Sequence, residues 1–206
     1  MTSKFRLASL AAYPQVAHGF IGRHGGLADI QALHPDLIMS EQAHGTRIYD
    51  VQKPLSGLQI VQGFDGLVTQ QSGAALVIKM ADCAPLLFYD PVTQTVAAAH
   101  AGRRGTEQGI ARKMIEHLAQ EYLVTPADLL VCIGPAICVK CYQIDRDKDL
   151  HYDLRTENKK QLLSAGVQNI ELSDLCPACN AQDDFYSYRR ENTKARNFAF
   201  LYLKPV

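Results

Sequence analysis

Hydrophobic positions fall along the chain in two rhythms. Short, nearly unbroken apolar runs predict strands over 16–22, 47–52, 66–70, 74–80, 85–90, 95–100, 129–134 and 197–203. The central runs are the clearest: Ala74–Met80 is almost wholly apolar, Ala81-Asp82-Cys83 interrupts it, and Pro85–Tyr89 follows, then a turn at Asp90-Pro91 and the run Thr95–His100. Continuous runs of this kind belong to strands covered on both faces. After Gly105 the period changes. Ile110, Met114, Leu118 and Tyr122 recur at every fourth position with Glu107, Lys113, Glu116 and Gln120 between them. This predicts an amphipathic helix over 106–122, with Thr106 as its N-cap. A second, less regular helix is expected within 145–165, closing at Gly166. Strands in hairpin-like succession with inserted helices predict an α+β fold, mixed β-sheets flanked by helices, rather than a strict βαβ series.

No repeat, low-complexity tract or linker divides the 206 residues, so one domain over 1–206 is expected. A hydrophobic content of 47% excludes a disordered chain. The 21 basic and 21 acidic side chains cancel, which argues against a nucleic-acid or anionic-membrane partner. No run approaches the ~20 apolar residues of a membrane span. The opening MTSKFRLASLAAYPQVAHGF mimics a leader, but Pro14, Gln15 and His18 cut its apolar run short. A cytoplasmic monomer acting on a small molecule is the resulting expectation.

Three positions carry chemistry: His44 in EQAHGTR, Cys83 in KMADCAPLLFYD and His100 in TVAAAHAGRRGT. Each lies where a strand meets a loop, among small residues that leave room for a metal or ligand to approach. Alone, each is more commonly a packed or turn residue than a ligand. A hairpin between Cys83 and His100 would place those two at the same end of neighbouring strands. The other cysteines are Cys132 and two C-x-x-C pairs, Cys138/Cys141 and Cys176/Cys179. Two such pairs can form a four-thiolate metal site. Here 34 residues separate them, more than the ~15–20 of the usual ribbon. Cys138 also falls in a stretch that reads as buried, so free buried thiols are the expectation.

The ordered blocks MADCAPLLFYD, AAAHAGRRGT, CIGPAICVKCYQI and FYSYRRENTKARN resemble the YfiH-type family, as do HGFIGRHGG and EQAHGTRI earlier in the chain. Members are named polyphenol oxidase (laccase-like), purine nucleoside phosphorylase or adenosine deaminase. The resemblance spans roughly residues 18 to 203. It implies an α+β fold related to that of CNF-toxin-type cysteine hydrolases, and a single zinc held by His44, Cys83 and His100. The activity it implies is cleavage of purine nucleosides (adenosine, inosine, methylthioadenosine) by phosphate, together with deamination of adenosine. Some members are linked to hydrolytic editing of a peptidoglycan precursor, and copper-dependent phenol oxidation is an older attribution.

Two imidazoles and one thiolate suit zinc and leave its fourth position open, as in a catalytic site. A multicopper centre would need more imidazoles than the seven histidines readily supply, whereas a single copper on one Cys and two His also fits these ligand types. Asp82 either orients a ligand imidazole or moves a proton, or else caps a strand-end turn. Arg47, Arg103 and Arg104 are candidate phosphate ligands, with solvated loop charges as the ordinary alternative. Tyr188-Arg189-Arg190 matches the family's terminal Ser-Tyr-Arg-Arg, and its arginines are expected to bond backbone carbonyls. The chain departs from the family in three places. Arg103 stands where a Trp is usual, the segment between Gly26 and His44 is short, and CPAC replaces a Cys-Thr element. Two competing readings are a Cys–His amide hydrolase with Cys83 as nucleophile and His100 as base, and a non-enzymatic metal-binding module using the four paired cysteines.

Overall fold

The computed structural model describes residues 4–53 and 56–205, which form two six-stranded mixed sheets packed face to face. In spatial order the first sheet runs Lys4–Phe5, Val16–Ile21, Asn197–Leu203, Ala75–Met80, Leu37–Glu41 and Leu58–Gln62. The second runs Asn169–Leu172, Leu130–Ile133, Ala84–Asp90, Thr95–Ala101, Gly66–Thr69 and Ile48–Asp50. A small ribbon pairs Gln143–Asp145 with Leu150–His151.

Alternation along each strand explains the layers, because successive side chains leave a pleated strand on opposite faces. Leu87, Tyr89, Val96 and Ala98 meet Leu76, Ile78, Ala199 and Leu201 between the sheets. Their neighbours Leu86, Phe88, Ala97 and Ala99 face the other way, onto Ile110, Met114, Ile115 and Leu118 of the helix Ile110–Tyr122 and Leu154 and Leu162 of the helix Leu154–Ser164. The outer face of the first sheet is closed by Ile30 of the short helix Leu27–Gln31. The unbroken apolar strands are therefore covered on both faces, as the sequence predicted.

All eight predicted strands form, within a residue or two at their ends. The helix predicted over 106–122 is broken in two, Arg103–Glu107 and Ile110–Tyr122, because Gly109 adopts φ 83°. Thr106 is consequently no N-cap. It is buried in the first short helix, where its Oγ1 accepts from Asn158 Nδ2 at 2.9 Å. The second helix starts at the N-cap Asp153, whose carboxylate accepts from Thr156 N at 3.1 Å, and Gly166 (φ 93°) follows its end as expected. The leader-like opening is built into the fold, with Leu10 of the helix Ala8–Ala11 fully buried. Among the described residues, no helix is long and apolar enough to cross a membrane.

Candidate metal centre and cavity

Three crossovers between the sheets converge at one end of the molecule. The chain leaves the first sheet after Glu41, Gln62 and Met80, and enters the second at Ile48, Gly66 and Ala84. His44 lies on the first crossover, Asp65 on the second, and Asp82 and Cys83 on the third. His100 comes from the neighbouring strand, where Ala84 pairs with Ala101 and Pro85 with His100. The hairpin therefore brings Cys83 and His100 together as the sequence suggested. The crossovers demand unusual backbone: His44 and Asp82 both have positive φ, 59° and 86°.

One ligand atom from each of His44, Cys83 and His100 lies within 4.8 Å of the others, and the two imidazoles sit edge to face with centroids 4.8 Å apart. Gly102 closes in beside them. A Cβ there would stand 3.0 Å from Cys83 Sγ, 3.3 Å from His44 Cδ2 and 3.4 Å from His100 Cε1, so any larger residue would crowd all three side chains. His44 is exposed while His100 is buried, which leaves one side of the cluster open.

Asp65, which no sequence pattern singles out, organises the centre. Its fully buried carboxylate accepts backbone N–H groups from Ala43 (3.2 Å), His44 (3.0 Å) and Gly45 (2.8 Å). It also bonds His100 Nδ1 at 2.9 Å, and Asp65 O accepts from His100 N at 2.8 Å. With Nδ1 engaged, His100 offers Nε2 as its free nitrogen. Despite burial, the His100 bond and the backbone donors hold the Asp65 carboxyl below its ordinary range. Burial pushes the Cys83 thiol up, but the charge and hydrogen bond of His100, and those of His44, outweigh it and bring it down to about 6. Burial likewise opposes protonation of His100, yet the Cys83 thiolate and Asp65 raise it to about 9.

Asp82 does not orient either imidazole. Its Oδ2 accepts from Arg189 N at 2.6 Å, which ties the third crossover to the helix Tyr188–Glu191, and its buried Oδ1 has no partner. Burial raises its pKa against the pull of that bond.

The cluster opens into a cavity of about 920 Å³. Six cations line it: Lys79, Arg103, Arg104, Arg146, Arg189 and Arg196, against the carboxylates of Glu41 and Asp82. Arg47, proposed from sequence beside them, does not line the cavity; its guanidinium covers the Phe64 ring at 4.3 Å from the centroid. Arg190 bonds the backbone carbonyls of Pro177 (2.9 Å) and Gln182 (3.2 Å), as expected, whereas Arg189 joins the cavity wall and stacks 5.4 Å from the Tyr142 centroid. Tyr142 and Tyr188 give the wall its aromatic surface.

The profile of a family described as multi-copper polyphenol oxidoreductase laccase matches residues 23–149 and 144–204. The chain belongs to this family. Within this laccase-like family, it is similar to purine nucleoside phosphorylase YlmD of Geobacillus stearothermophilus, 35% identical over 195 residues covering 80% of this chain and 71% of the relative. It is also similar to an adenosine deaminase from an unknown prokaryotic organism, 29% identical over 199 residues covering 82% and 76% of the two chains. The crystal structure of YlmD from Geobacillus stearothermophilus superposes with a TM-score of 0.84 at 30% identity, over 93% of both chains. The mixed α+β architecture is thus the laccase-like family's own.

Proposed function

We propose that this chain is a zinc-dependent enzyme of purine nucleosides that cleaves adenosine, inosine or methylthioadenosine with phosphate and deaminates adenosine. The observation that carries this reading is the union, in one cavity, of a His44–Cys83–His100 cluster with six cations. Anionic phosphate needs such a rim, and guanidinium groups match its oxygens in pairs. The names of the relatives, phosphorylase and deaminase, support the same substrate class. The free state of all six cysteines suits a reducing compartment, which we take to be the cytoplasm.

Two imidazoles and a thiolate, gathered around a glycine cradle, fit a zinc ion with an open position. When bound, zinc supplies a Lewis acid and draws the pKa of a coordinated water toward ~7. Copper, which the family's description names, is less well served. Five of the seven histidines lie outside the ligating clusters, too few inside for several coppers.

The chain's own residues do the rest. Asp65 fixes the His100 ring. Arg103, Arg104 and Arg189 hold phosphate, while Tyr142 and Tyr188 offer faces for the base in a chain without Trp. In phosphorolysis a phosphate oxygen bonds to the ribose C1′, the glycosidic bond breaks, and its electron pair leaves with the purine, which takes up a proton. Asp82 lies in the cavity lining with a raised pKa, and we assign it that proton.

A second reading has an observation of its own. The lowered Cys83 thiol, the raised His100 and Asp65 behind it make a nucleophile–base–orienter series, the arrangement of a Cys–His amide hydrolase. Metal dependence separates the two. Adenosine, inosine and methylthioadenosine are incubated with phosphate, and products are read by mass for wild type and Cys83→Ala. Free base and ribose 1-phosphate, with inosine from adenosine, are expected from zinc-loaded wild type alone. Equal turnover by Cys83→Ala removes the site assignment, and a chelator-resistant but alkylation-sensitive hydrolysis favours the second reading.

A further inference from the structure

The two C-x-x-C pairs meet in space. Ligand atoms of Cys138, Cys141, Cys176 and Cys179 all lie within 4.8 Å of one another, although 34 residues separate the pairs. The sheet topology closes that gap. Strands Leu130–Ile133 and Asn169–Leu172 run parallel and adjacent, so the loops that leave their C-terminal ends start side by side. Ala136 N donates to Leu175 O at 3.2 Å, and the Arg155 guanidinium bonds the carbonyls of both residues.

Each pair forms its own tight turn, with Cys141 N donating to Cys138 O at 3.0 Å and Cys179 N to Cys176 O at 3.3 Å. Cys138 N also points at the Cys176 sulfur, 3.3 Å away. Backbone N–H donation to sulfur favours the thiolate, the form that binds metal. The expectation of burial holds for only one of these four thiols. Cys176 is buried, but Cys138 and Cys141 are half-buried and Cys179 is exposed. Thiols packed merely as small hydrophobes have no reason to leave the core together.

Distance favours an ion over a disulfide. Four sulfurs about 2.3 Å from a tetrahedral zinc stand about 3.8 Å apart, and Cys138 Sγ and Cys179 Sγ are 3.8 Å apart. A disulfide would hold its two sulfurs about 2.05 Å apart, much closer than this pair.

We propose that Cys138, Cys141, Cys176 and Cys179 hold a zinc ion in a closed, four-thiolate site that clamps one wall of the cavity. Binding releases the thiol protons to solvent and requires no oxidant. The clamp acts on the cavity through the residues that flank it. Ile137 and Tyr142, on either side of the first turn, both line the cavity. Arg190, whose neighbours Tyr188 and Arg189 line it too, bonds Pro177 O inside the second turn at 2.9 Å. The site is distinct from the His44–Cys83–His100 cluster and stands whether or not that reading holds.

Metal content tests it. Full-length protein, purified under reducing conditions and equilibrated with zinc, is weighed by native mass spectrometry beside Cys141→Ser, Cys138→Ser/Cys176→Ser and Cys83→Ser. We expect Cys141→Ser and the double variant each to carry one zinc fewer than wild type, and Cys83→Ser to keep the four-thiolate zinc. If the Cys83 cluster binds nothing, wild type carries one zinc, which Cys141→Ser abolishes and Cys83→Ser spares. Zinc content unchanged by Cys141→Ser overturns the proposal, as does a loss of about two mass units marking a disulfide among these four cysteines. Should the variants fail to fold, cobalt(II) in wild type keeps the question open to an answer. Charge-transfer absorption of tetrahedral four-thiolate strength supports the site, and that of a single thiolate refutes it.

Discussion

Asp65 Oδ1 serves two of the converging segments at once, accepting from His44 N and bonding His100 Nδ1. Its carboxylate is wholly buried. Groups that orient metal-bound imidazoles typically account for ~10–100-fold in affinity or activity. Asp65→Asn keeps the shape and removes the charge, so zinc affinity measured by chelator competition should fall in that range while the circular dichroism of the fold persists. Undiminished affinity would show that Asp65 only braces the crossovers. His44, Cys83 and His100 stood out in the sequence as reactive types among small neighbours, but only the family resemblance grouped the three as one set. Asp65 did not stand out, since an aspartate ahead of an apolar strand reads as an ordinary turn residue. Its role arises from the backbone groups that the fold brings around it. Arg47 erred in the opposite sense: its nearness to His44 in sequence suggested the cavity, but the ring of Phe64 claims its guanidinium.

At the scale of elements, most strands buried on both faces were plain from their composition, but Leu37–Glu41, buried inside the first sheet, was missed, as were several strands at the margins. Leu58–Gln62 is an edge strand, mostly exposed, with Gln59 and Gln62 among its residues. Asn169–Leu172 closes the other sheet with a mixed polar pattern. Such strands owe their form to a neighbour's free hydrogen-bonding edge more than to their own side chains. The split in the long predicted helix has a local cause in Gly109, which the fourfold apolar spacing hid. One small element makes its own prediction. The helix Ala8–Ala11 begins at Leu7, whose N–H donates to His18 Nε2 at 3.0 Å. Burial, then the Arg6 charge, push His18 down to about 4 from 6.5, against the opposing pull of Glu171. The neutral ring is the form the fold holds, so its stabilisation is complete above pH 6.5 and is lost as pH falls toward 4. Between those limits His18 should account for about 3 kcal/mol of the pH dependence. Urea unfolding of wild type and His18→Gln across this window checks it: the variant's stability should fall less steeply, and identical slopes would contradict the assignment.

The whole molecule places its chemistry where two sheets exchange chain. Three crossovers need tight, unusual backbone at one end, and the same constriction gathers His44, Asp65, Asp82 and Cys83 beside His100. A neutral chain thereby concentrates six cations around one cavity, a local field that the overall charge balance conceals. The sequence excluded a strongly charged protein correctly and still missed this patch, because Lys79, Arg146 and Arg196 are far apart along the chain. His44, Cys83 and His100 are proposed to hold the zinc that supports nucleoside cleavage by phosphate. Its most direct test is to strip the protein of metal under reducing conditions, return zinc in measured steps, and follow ribose 1-phosphate formation from inosine in wild type and Cys83→Ser. Activity that is absent without metal, rises with added zinc to a stoichiometric plateau, and never appears in Cys83→Ser is the predicted result. Full phosphorolysis by the stripped protein, or its return in Cys83→Ser, would contradict the account.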